Sequence, residues 1–283
     1  MQPSTQPDSP QQTLHSAPEP YVPPASDSPR KTIVTLNWAQ PFVWLRKGFA
    51  DLLAQPGIAA FYGVAFCTMA IVLAAVFHSK PEYTMSIASG CLLIGPFLTM
   101  GLYEVSRRRE LGIAPELGAS LTCWDSHLGS MGLLVLVLVV LELLWGRASL
   151  VVFAVFFNTG MPSTTGVLEA VFNPKNWQFV AVYAVVGGAF AALVFATAVV
   201  SIPMILDRDT DAISAAITSL EVVFHNTGVM LLWGLLLTTL VVLAMLLPWS
   251  MGLLVVGPWL GHASWHAYRG SVDWPSESAA QGC

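Results

Sequence analysis

The chain contains long stretches without a single charged side chain, and this feature limits its folding more than any other. Val222–Tyr268 has no Asp, Glu, Lys or Arg, and the same is true of Leu52–Ser79 and Asn176–Leu206. A helix that crosses a bilayer needs about 20 apolar residues, so each stretch can cross once and the first can cross twice. These stretches predict an all-α, polytopic membrane protein rather than a water-soluble domain.

The composition supports this interpretation. Hydrophobic residues make up 55% of the 283 residues and charged residues only 10%, whereas a soluble domain is typically about 25% charged. Such a chain has too few polar side chains to cover a water-facing globule, so lipid is the expected solvent for most of its surface. The formal net charge of -5 also argues against a nucleic-acid partner.

Six transmembrane helices are predicted within residues 38–269, and together they form one membrane helical bundle. They lie at about Ile58–His78, Tyr83–Tyr103, Gly129–Trp145 and Asn176–Leu206, followed by two within Val222–Tyr268 that are separated at Pro248–Ser250. The third helix either ends near Trp145 or continues to Phe157, and the apolar pattern is compatible with both ends.

Polar segments flank this membrane domain. Residues 1–31 are rich in Pro, Ser and Gln and have no apolar run to bury, which predicts a disordered cytoplasmic arm. The arm is not expected to be a signal peptide, because no apolar segment follows a basic start. Residues 270–283 are predicted to form a polar C-terminal tail.

The distribution of Lys and Arg predicts the orientation. In an alternating six-span arrangement, three of the 12 Lys and Arg residues, Lys80, Arg147 and Lys175, lie on one side. The other nine lie on the opposite side, at Arg30, Lys31, Arg46, Lys47, Arg107, Arg108, Arg109, Arg208 and Arg269. Because Lys and Arg concentrate on the cytoplasmic side of membrane proteins, both termini are expected in the cytoplasm.

Three amphipathic stretches are spaced along the chain, each before an outward-going helix. They lie at Phe42–Leu53, Ile113–Leu128 and Ile213–Phe224, and their apolar residues follow helical spacing. These stretches predict three helices along the cytoplasmic surface, with the apolar face towards lipid or towards the bundle. Each is followed by a glycine that suits a left-handed helix stop, namely Gly57, Gly129 and Gly228.

Two of the returning helices also resemble each other. Gly95-Pro96 leads to Arg107, and Gly257-Pro258 leads to Arg269 at the same spacing. Together with the amphipathic stretches, this indicates a three-fold internal repeat, in which each unit is an interfacial helix followed by a transmembrane hairpin. The alternative is that any membrane helix with a basic inner end has this appearance.

The densest group of charges follows the second predicted span. Its members are Glu104, Arg107, Arg108, Arg109 and Glu110. One interpretation is a binding surface for anionic lipid headgroups or for a partner, and the other is that the arginines only determine the topology. Arg269 has the equivalent position after the last span. Glu104 and Arg108 are four residues apart, which predicts an ion pair on one helix face.

His262 and His266 are four residues apart on the last predicted helix and therefore share a face. This spacing suits a metal ion, but two ligands do not complete a site, and no Glu follows His262 as in the zinc-protease motif. His127 and His225, predicted on the same side, would be the additional ligands. The alternative role is that of polar anchors at the membrane interface, with no cofactor.

Glu142 is the one acidic residue within a predicted span. A carboxylate inside a membrane is by default a functional candidate, here for a proton relay. Its sequence neighbours Trp145 and Arg147 suggest a position near the outer boundary, where the carboxylate reaches water. If the third helix continues to Phe157, Glu142 lies deeper and the proton-relay hypothesis gains weight.

Three segments, Gly95–Glu110, Pro203–Arg208 and Gly257–Arg269, resemble a family of bacterial integral membrane proteins catalogued as domain of unknown function twenty-one eighty-nine. The resemblance covers roughly residues 38–269. It implies a multi-pass protein of the bacterial cytoplasmic (inner) membrane, without an established activity. Some members are labelled cytochrome c oxidase subunit I-like, which implies histidine ligands inside the membrane. The span-associated histidines of this chain, His78, His262 and His266, lie towards helix ends instead.

The sequence favours a non-enzymatic protein that acts by association, as a scaffold, an assembly factor or an accessory subunit of a membrane complex. The reason is that no catalytic constellation is recognisable. The expected partners are the lipid bilayer and either another membrane protein or a second copy of the chain. Two alternatives remain: a small transporter or channel for solutes or ions, and a metal- or haem-binding membrane protein linked to a respiratory oxidase.

Overall fold

A computed structural model describes residues 31–80, 83–157 and 173–274, which form an all-α bundle with one short strand pair. The predicted arm at residues 1–30 and residues 275–283 of the predicted tail lie outside the described residues. The elements are β1 (Thr32–Ile33), α1 (Gln40–Ala54), α2 (Pro56–Ser79), α3 (Thr84–Glu110), α4 (Leu117–Thr122), α5 (Leu128–Phe156), α6 (Trp177–Ala198), α7 (Ser201–Arg208), α8 (Ala212–His225), α9 (Thr227–Leu246), α10 (Leu253–Ser271) and β2 (Val272–Asp273).

In the described part of the chain, five segments are long and apolar enough to cross a bilayer. They are Pro56–Ser79, Ser86–Glu110, Leu117–Phe156, Trp177–Arg208 and Thr227–Leu246. The prediction of an integral membrane protein made of several apolar helices is confirmed. Helix α10, the expected sixth span, is not among these segments. Its sequence carries His262, His266 and Arg269 among the apolar residues.

The third predicted span follows the longer of the two alternatives, because α5 continues to Phe156. Its 29 residues correspond to a length of about 43 Å at 1.5 Å per residue. A bilayer core is about 30 Å thick, so α5 exceeds it. Glu142 lies near the middle of this helix rather than at its end.

The fourth predicted span is divided into α6 and α7. Pro203 has no N–H group to donate to the carbonyl of Val199, which breaks the regular helical hydrogen bonding. At the same break, the backbone N–H of Val200 donates to the hydroxyl of Ser219 in α8, at 3.1 Å. A side chain from another helix thus satisfies a backbone group at the break, as burial requires.

The amphipathic stretches form helices of unequal length. The first and third lie entirely within α1 and α8, whereas the second is helical over the six residues of α4 and then continues through a short turn into α5. In α1 the exposed side carries Phe42, Phe49 and Leu53, while Gly48 and Asp51 are buried. Trp44 is buried on the same side as Asp51, so α1 presents apolar side chains both to the bundle and to its surroundings, and one carboxylate to the bundle.

The predicted left-handed helix stops at Gly57, Gly129 and Gly228 are wrong, because these glycines lie in the first turns of α2, α5 and α9. Among the described glycines, Gly112 has a positive φ, of 70°, and it lies directly after α3. There the chain turns away from the helix, and glycine adopts this conformation without a steric penalty.

The two ends of the described chain are hydrogen bonded to each other. β1 pairs antiparallel with β2, with Thr32 opposite Asp273. The segment from Lys31 to Leu36, here called the N-terminal strap, continues across the junction of α8 and α9. There the side chain of Asn226 accepts a hydrogen bond from Leu36 N (2.8 Å) and donates one to Val34 O (3.0 Å). Trp274 is buried, so ordered structure extends past the predicted boundary at residue 270.

Helix α10 occupies the centre of the bundle, where it packs against α1, α2, α3 and α9. Most of its second half is buried. The backbones of α1 and α10 approach closely, because a Cβ atom added at Gly48 would lie 2.5 Å from Ala263 N. This packing brings the polar residues of α1, α3 and α10 together at one end of the bundle.

Candidate functional site

The charged C-terminal ends of α3, α7 and α10 meet at one end of the bundle, which we call the charged end. Asp207 of α7 is the link between them. Its Oδ1 lies 3.6 Å from Nε of Arg107 in α3, and its Oδ2 lies 3.6 Å from Nη1 of Arg269 in α10. The hydroxyl of Tyr268 donates to the same Oδ2 at 2.7 Å, and Arg208 pairs with it at 3.1 Å. One carboxylate thus connects three helices.

A second, more buried group lies beside it and is here called the Asp51 cluster: Asp51, Ser106, Arg109, His262 and His266. Asp51 Oδ2 accepts a hydrogen bond from the hydroxyl of Ser106 at 2.7 Å and lies 2.8 Å from Nε2 of His266. Ser106 Oγ lies 2.8 Å from Nδ1 of His262, and Arg109 pairs with Asp51 Oδ1. The cluster joins α1, α3 and α10.

These contacts determine the ionisation of Asp51, which is only 6% exposed. Burial raises the pKa of the Asp51 carboxyl, whereas the hydrogen bonds from His266 and Ser106 lower it. The hydrogen bonds prevail, so the pKa lies below its ordinary value of 3.8. Asp51 is therefore a buried anion at neutral pH, held by polar partners from two other helices.

Glu104 and Glu110 complete the charged end. Glu104 pairs with Arg108 Nε at 2.9 Å, which confirms the predicted ion pair, and with Arg107 Nη1 at 3.1 Å. Glu110 connects α3 to α10, because it lies 3.3 Å from both Nδ1 of His266 and Nε of Arg269. The predicted cluster residues on α3 and Arg269 are thus brought together by ion pairs within the chain.

The two candidate metal ligands have other neighbours in this arrangement. Both ring nitrogens of His266 face carboxylates, those of Asp51 and Glu110, and Nδ1 of His262 faces Ser106. Within the described residues, no group of three or more His, Cys, Asp or Glu is placed to hold a metal ion. His127 lies apart from these two, 3.6 Å from Asp209.

Glu142 lies away from the charged end, between α5 and α3. Its Oε2 accepts a hydrogen bond of 2.7 Å from the hydroxyl of Ser89. Its Oε1 is buried and has no hydrogen-bond partner among the described residues. This arrangement places a carboxylate within the apolar part of a membrane helix, where an unsatisfied polar atom is costly.

Sequence reasoning did not identify Asp51, Ser106 and Asp207 as site residues. Asp51 and His266 are 215 positions apart, and Ser106 and His262 are 156 apart, so no local spacing connects them. One available signal was that an acidic residue in an otherwise apolar chain requires a cationic partner. Applied to Asp207, this rule would have pointed to the arginines that follow the other returning helices.

Comparison with known families agrees with the resemblance described above. Residues 83–207 match the model of the family described as "Predicted integral membrane protein (DUF2189)". The match includes α3, α5, α6 and α7, and with them Glu104, Arg107 and Asp207. Asp51 and α10 lie outside the matched residues. No curated protein and no solved structure matches the chain.

Proposed function

We propose that the protein is a non-enzymatic component of bacterial inner-membrane complexes, where it acts as a scaffold, an assembly factor or an accessory subunit. The observation that carries this proposal is that the ionisable groups of the charged end pair with one another within the chain. Asp51, Glu110 and Asp207 each pair with a cation of another helix, and these pairs fasten the helices to one another. Ionisable groups used in this way stabilise a rigid body that presents its outer surface to partners.

The outer surface supports the same proposal. Helix α9 exposes a row of large apolar side chains at helical spacing, at Leu231, Leu235, Val242 and Leu246. Such a row is compatible with lipid and with the apolar face of a neighbouring membrane helix. A partner that binds here would do so through packing, without charged contacts.

We further propose that the chain crosses the membrane six times and that both termini are cytoplasmic. The β1–β2 pair supports this topology, because strands that are hydrogen bonded to each other lie on the same side of the membrane. An even number of crossings then follows, and α10 is the sixth. Its polar residues are tolerated because α1 and α3 shield them from lipid.

Reporter fusions test the topology. Green fluorescent protein, which fluoresces only in the cytoplasm, should be active at both ends, and alkaline phosphatase, which folds only outside, should be active after Lys175. Opposite results at the two ends would refute six crossings. Fusions after Gly112, which is expected in the cytoplasm, serve as an internal control.

Affinity purification tests the association. The full chain, tagged after Cys283 and solubilised in a mild detergent, is expected to co-purify a membrane protein in a fixed ratio. Tagging that partner should recover this chain, and an unrelated six-span protein should not recover it. A chain that purifies alone in every mild detergent, with no partner after crosslinking in intact cells, contradicts the proposal.

A second candidate function is transport of protons or small cations, and Glu142 favours it. Its carboxylate lies near the middle of α5, with Ser89 as its hydrogen-bond partner. If the protein transports through Glu142, flux into proteoliposomes should be lost in Glu142→Gln. Glu116→Gln is the control and should keep its flux, because Glu116 is exposed and lies outside the long apolar helices. Equal flux in the two variants removes Glu142 from this role.

A further inference from the structure

An open cavity of about 700 Å³ lies at the surface of the charged end, lined by residues of α3, α4 and α7. Arg107 and Arg108 line it from α3, Arg208 lines it from α7, and His127 lines it from the turn before α5. Ala119 and Thr122 of α4 form an uncharged part of the wall. The cavity is within the range of pockets that bind small molecules, about 300–1,000 Å³.

The three arginines of this wall share two of its three carboxylates. Glu104 is shared by Arg107 and Arg108. Asp207 is shared by Arg107, Arg208 and Arg269, although Arg269 also pairs with Glu110.

The third acidic residue of the wall, Asp209, is 85% exposed and reaches towards His127 at 3.6 Å. It therefore contributes little negative charge to the interior of the cavity, because solvent screens an exposed carboxylate. Within the cavity, Arg107, Arg108 and Arg208 are therefore opposed mainly by Glu104 and Asp207.

The guanidinium groups of Arg107 and Arg108 have N–H donors that their contacts with described residues do not use. Within the described residues, Arg107 uses Nη1 and Nε for its ion pairs, and Arg108 uses Nε and Nη1 for its contacts with Glu104 and Ala114. The Nη2 group of each remains for a ligand. Two neighbouring guanidinium groups suit the oxygen atoms of a phosphate group, which they bind through charge-assisted hydrogen bonds.

We propose that this cavity binds a phosphate group, with Arg107 and Arg108 as the principal donors. The phosphate belongs either to a phospholipid headgroup or to a soluble phosphate compound. The position at the ends of membrane-crossing helices is where lipid phosphates lie, and basic pockets between such helices bind lipid headgroups. The volume exceeds that of inorganic phosphate and leaves room for the rest of a headgroup.

Native mass spectrometry of the delipidated full chain tests the proposal. Phosphatidylglycerol, diacylglycerol of the same acyl composition and inorganic phosphate are the three probes. We expect a saturable adduct with phosphatidylglycerol and none with diacylglycerol, which lacks the phosphate. Inorganic phosphate distinguishes the sources: a headgroup site keeps the lipid against millimolar phosphate, whereas a site for soluble phosphate compounds releases it.

Three variants locate the site. Arg108→Gln leaves Glu104 paired with Arg107 and should weaken binding about tenfold or more, the effect of one lost charge-assisted hydrogen bond. Ala119→Phe puts a large side chain into the cavity and keeps every charge. It should therefore abolish saturable binding. Arg46→Gln removes an exposed cation of α1 that does not line the cavity, and should bind as the unmodified chain does.

Two results would overturn the proposal. The first is equal binding of diacylglycerol and phosphatidylglycerol, which would mean that the acyl chains alone are recognised. The second is unchanged affinity in both Arg108→Gln and Ala119→Phe. If Arg108→Gln does not fold, Ala119→Phe decides alone, because it retains all ion pairs.

Discussion

Nε2 of His266 lies 2.8 Å from Oδ2 of Asp51, and this pair joins the last helix of the described bundle to the first. Both side chains are buried, at 8% exposure each. Together with the burial of Trp44 against Trp233, the contact with His266 and the close approach of Gly48 to Ala263 hold α1 against the bundle.

Replacing Asp51 by Asn should destabilise the bundle strongly. The change removes the anion that faces His266, Ser106 and Arg109, and the loss of one partner from a buried ion pair costs roughly 3–5 kcal/mol. The lower end applies here, because Arg109 is 41% exposed and its contribution is screened. Thermal or detergent-induced unfolding measures the difference. Asp125→Asn changes an exposed carboxylate and should leave the free energy of unfolding unchanged.

The stabilisation of the fold by Asp51 should be lost at low pH. Because its pKa in the folded protein is lower than the ordinary 3.8, its ionised form stabilises the fold fully above that pH. The stabilisation is lost as the pH falls through the lower, folded-state pKa. The difference in melting temperature between the unmodified chain and Asp51→Asn should therefore be constant from about pH 6, where an ordinary histidine is protonated, to about pH 4 and narrow below it. A difference that stays the same down to pH 2 contradicts the assignment.

Replacing Gly48 by Ala should separate α1 from α10. The new Cβ atom would lie 2.5 Å from the backbone nitrogen of Ala263, which cannot rotate away. Overpacking of this kind costs about 1–3 kcal/mol. Gly132→Ala is the matched control, since a Cβ atom there meets nothing within 4 Å. Equal stability of the two variants would show that the helices adjust freely.

Replacing Asn226 by Ala should release the N-terminal strap. The side chain holds Leu36 N and Val34 O, and two lost hydrogen bonds cost about 1–3 kcal/mol. Hydrogen exchange at Val34 and Leu36 should rise, as should proteolysis between Lys31 and Trp38. Thr227→Ala, which removes only a local bond to Phe224, is the control. Unchanged exchange at Leu36 in Asn226→Ala would mean that the β1–β2 pair and the contacts of Lys31 and Thr35 with α8 hold the strap without Asn226.

Sequence alone was sufficient for the apolar segments. Hydrophobicity is a property of neighbouring residues, so the spans at α2, α3, α5, α6 and α9 can be recognised without knowledge of the fold. The third span shows the limit of this approach. Gly146, Arg147 and Ser149 interrupt its apolar pattern, and the pattern was equally compatible with an end near Trp145 and with the observed end at Phe156.

The site was predictable only where its contacts are local. The Glu104–Arg108 pair follows from helical spacing. The Asp51 cluster does not, because it forms only when α1, α3 and α10 are packed together. For the same reason His262 and His266 were interpretable as metal ligands from their spacing, while their actual neighbours, Ser106, Asp51 and Glu110, come from other helices.

The separation of Asp51 and His266 by 215 positions has a consequence for biosynthesis. At translation rates of about 5–20 residues per second, the ribosome adds His266 on the order of 10 to 40 s after Asp51. During this interval the nascent α1 can meet Ser106 and Arg109 of α3, but it lacks both the imidazole of His266 and the backbone of α10 against which it packs. Docking of α1 is thus among the last steps of insertion, and truncated chains that end before α10 should carry a loose first helix that quality-control proteases recognise.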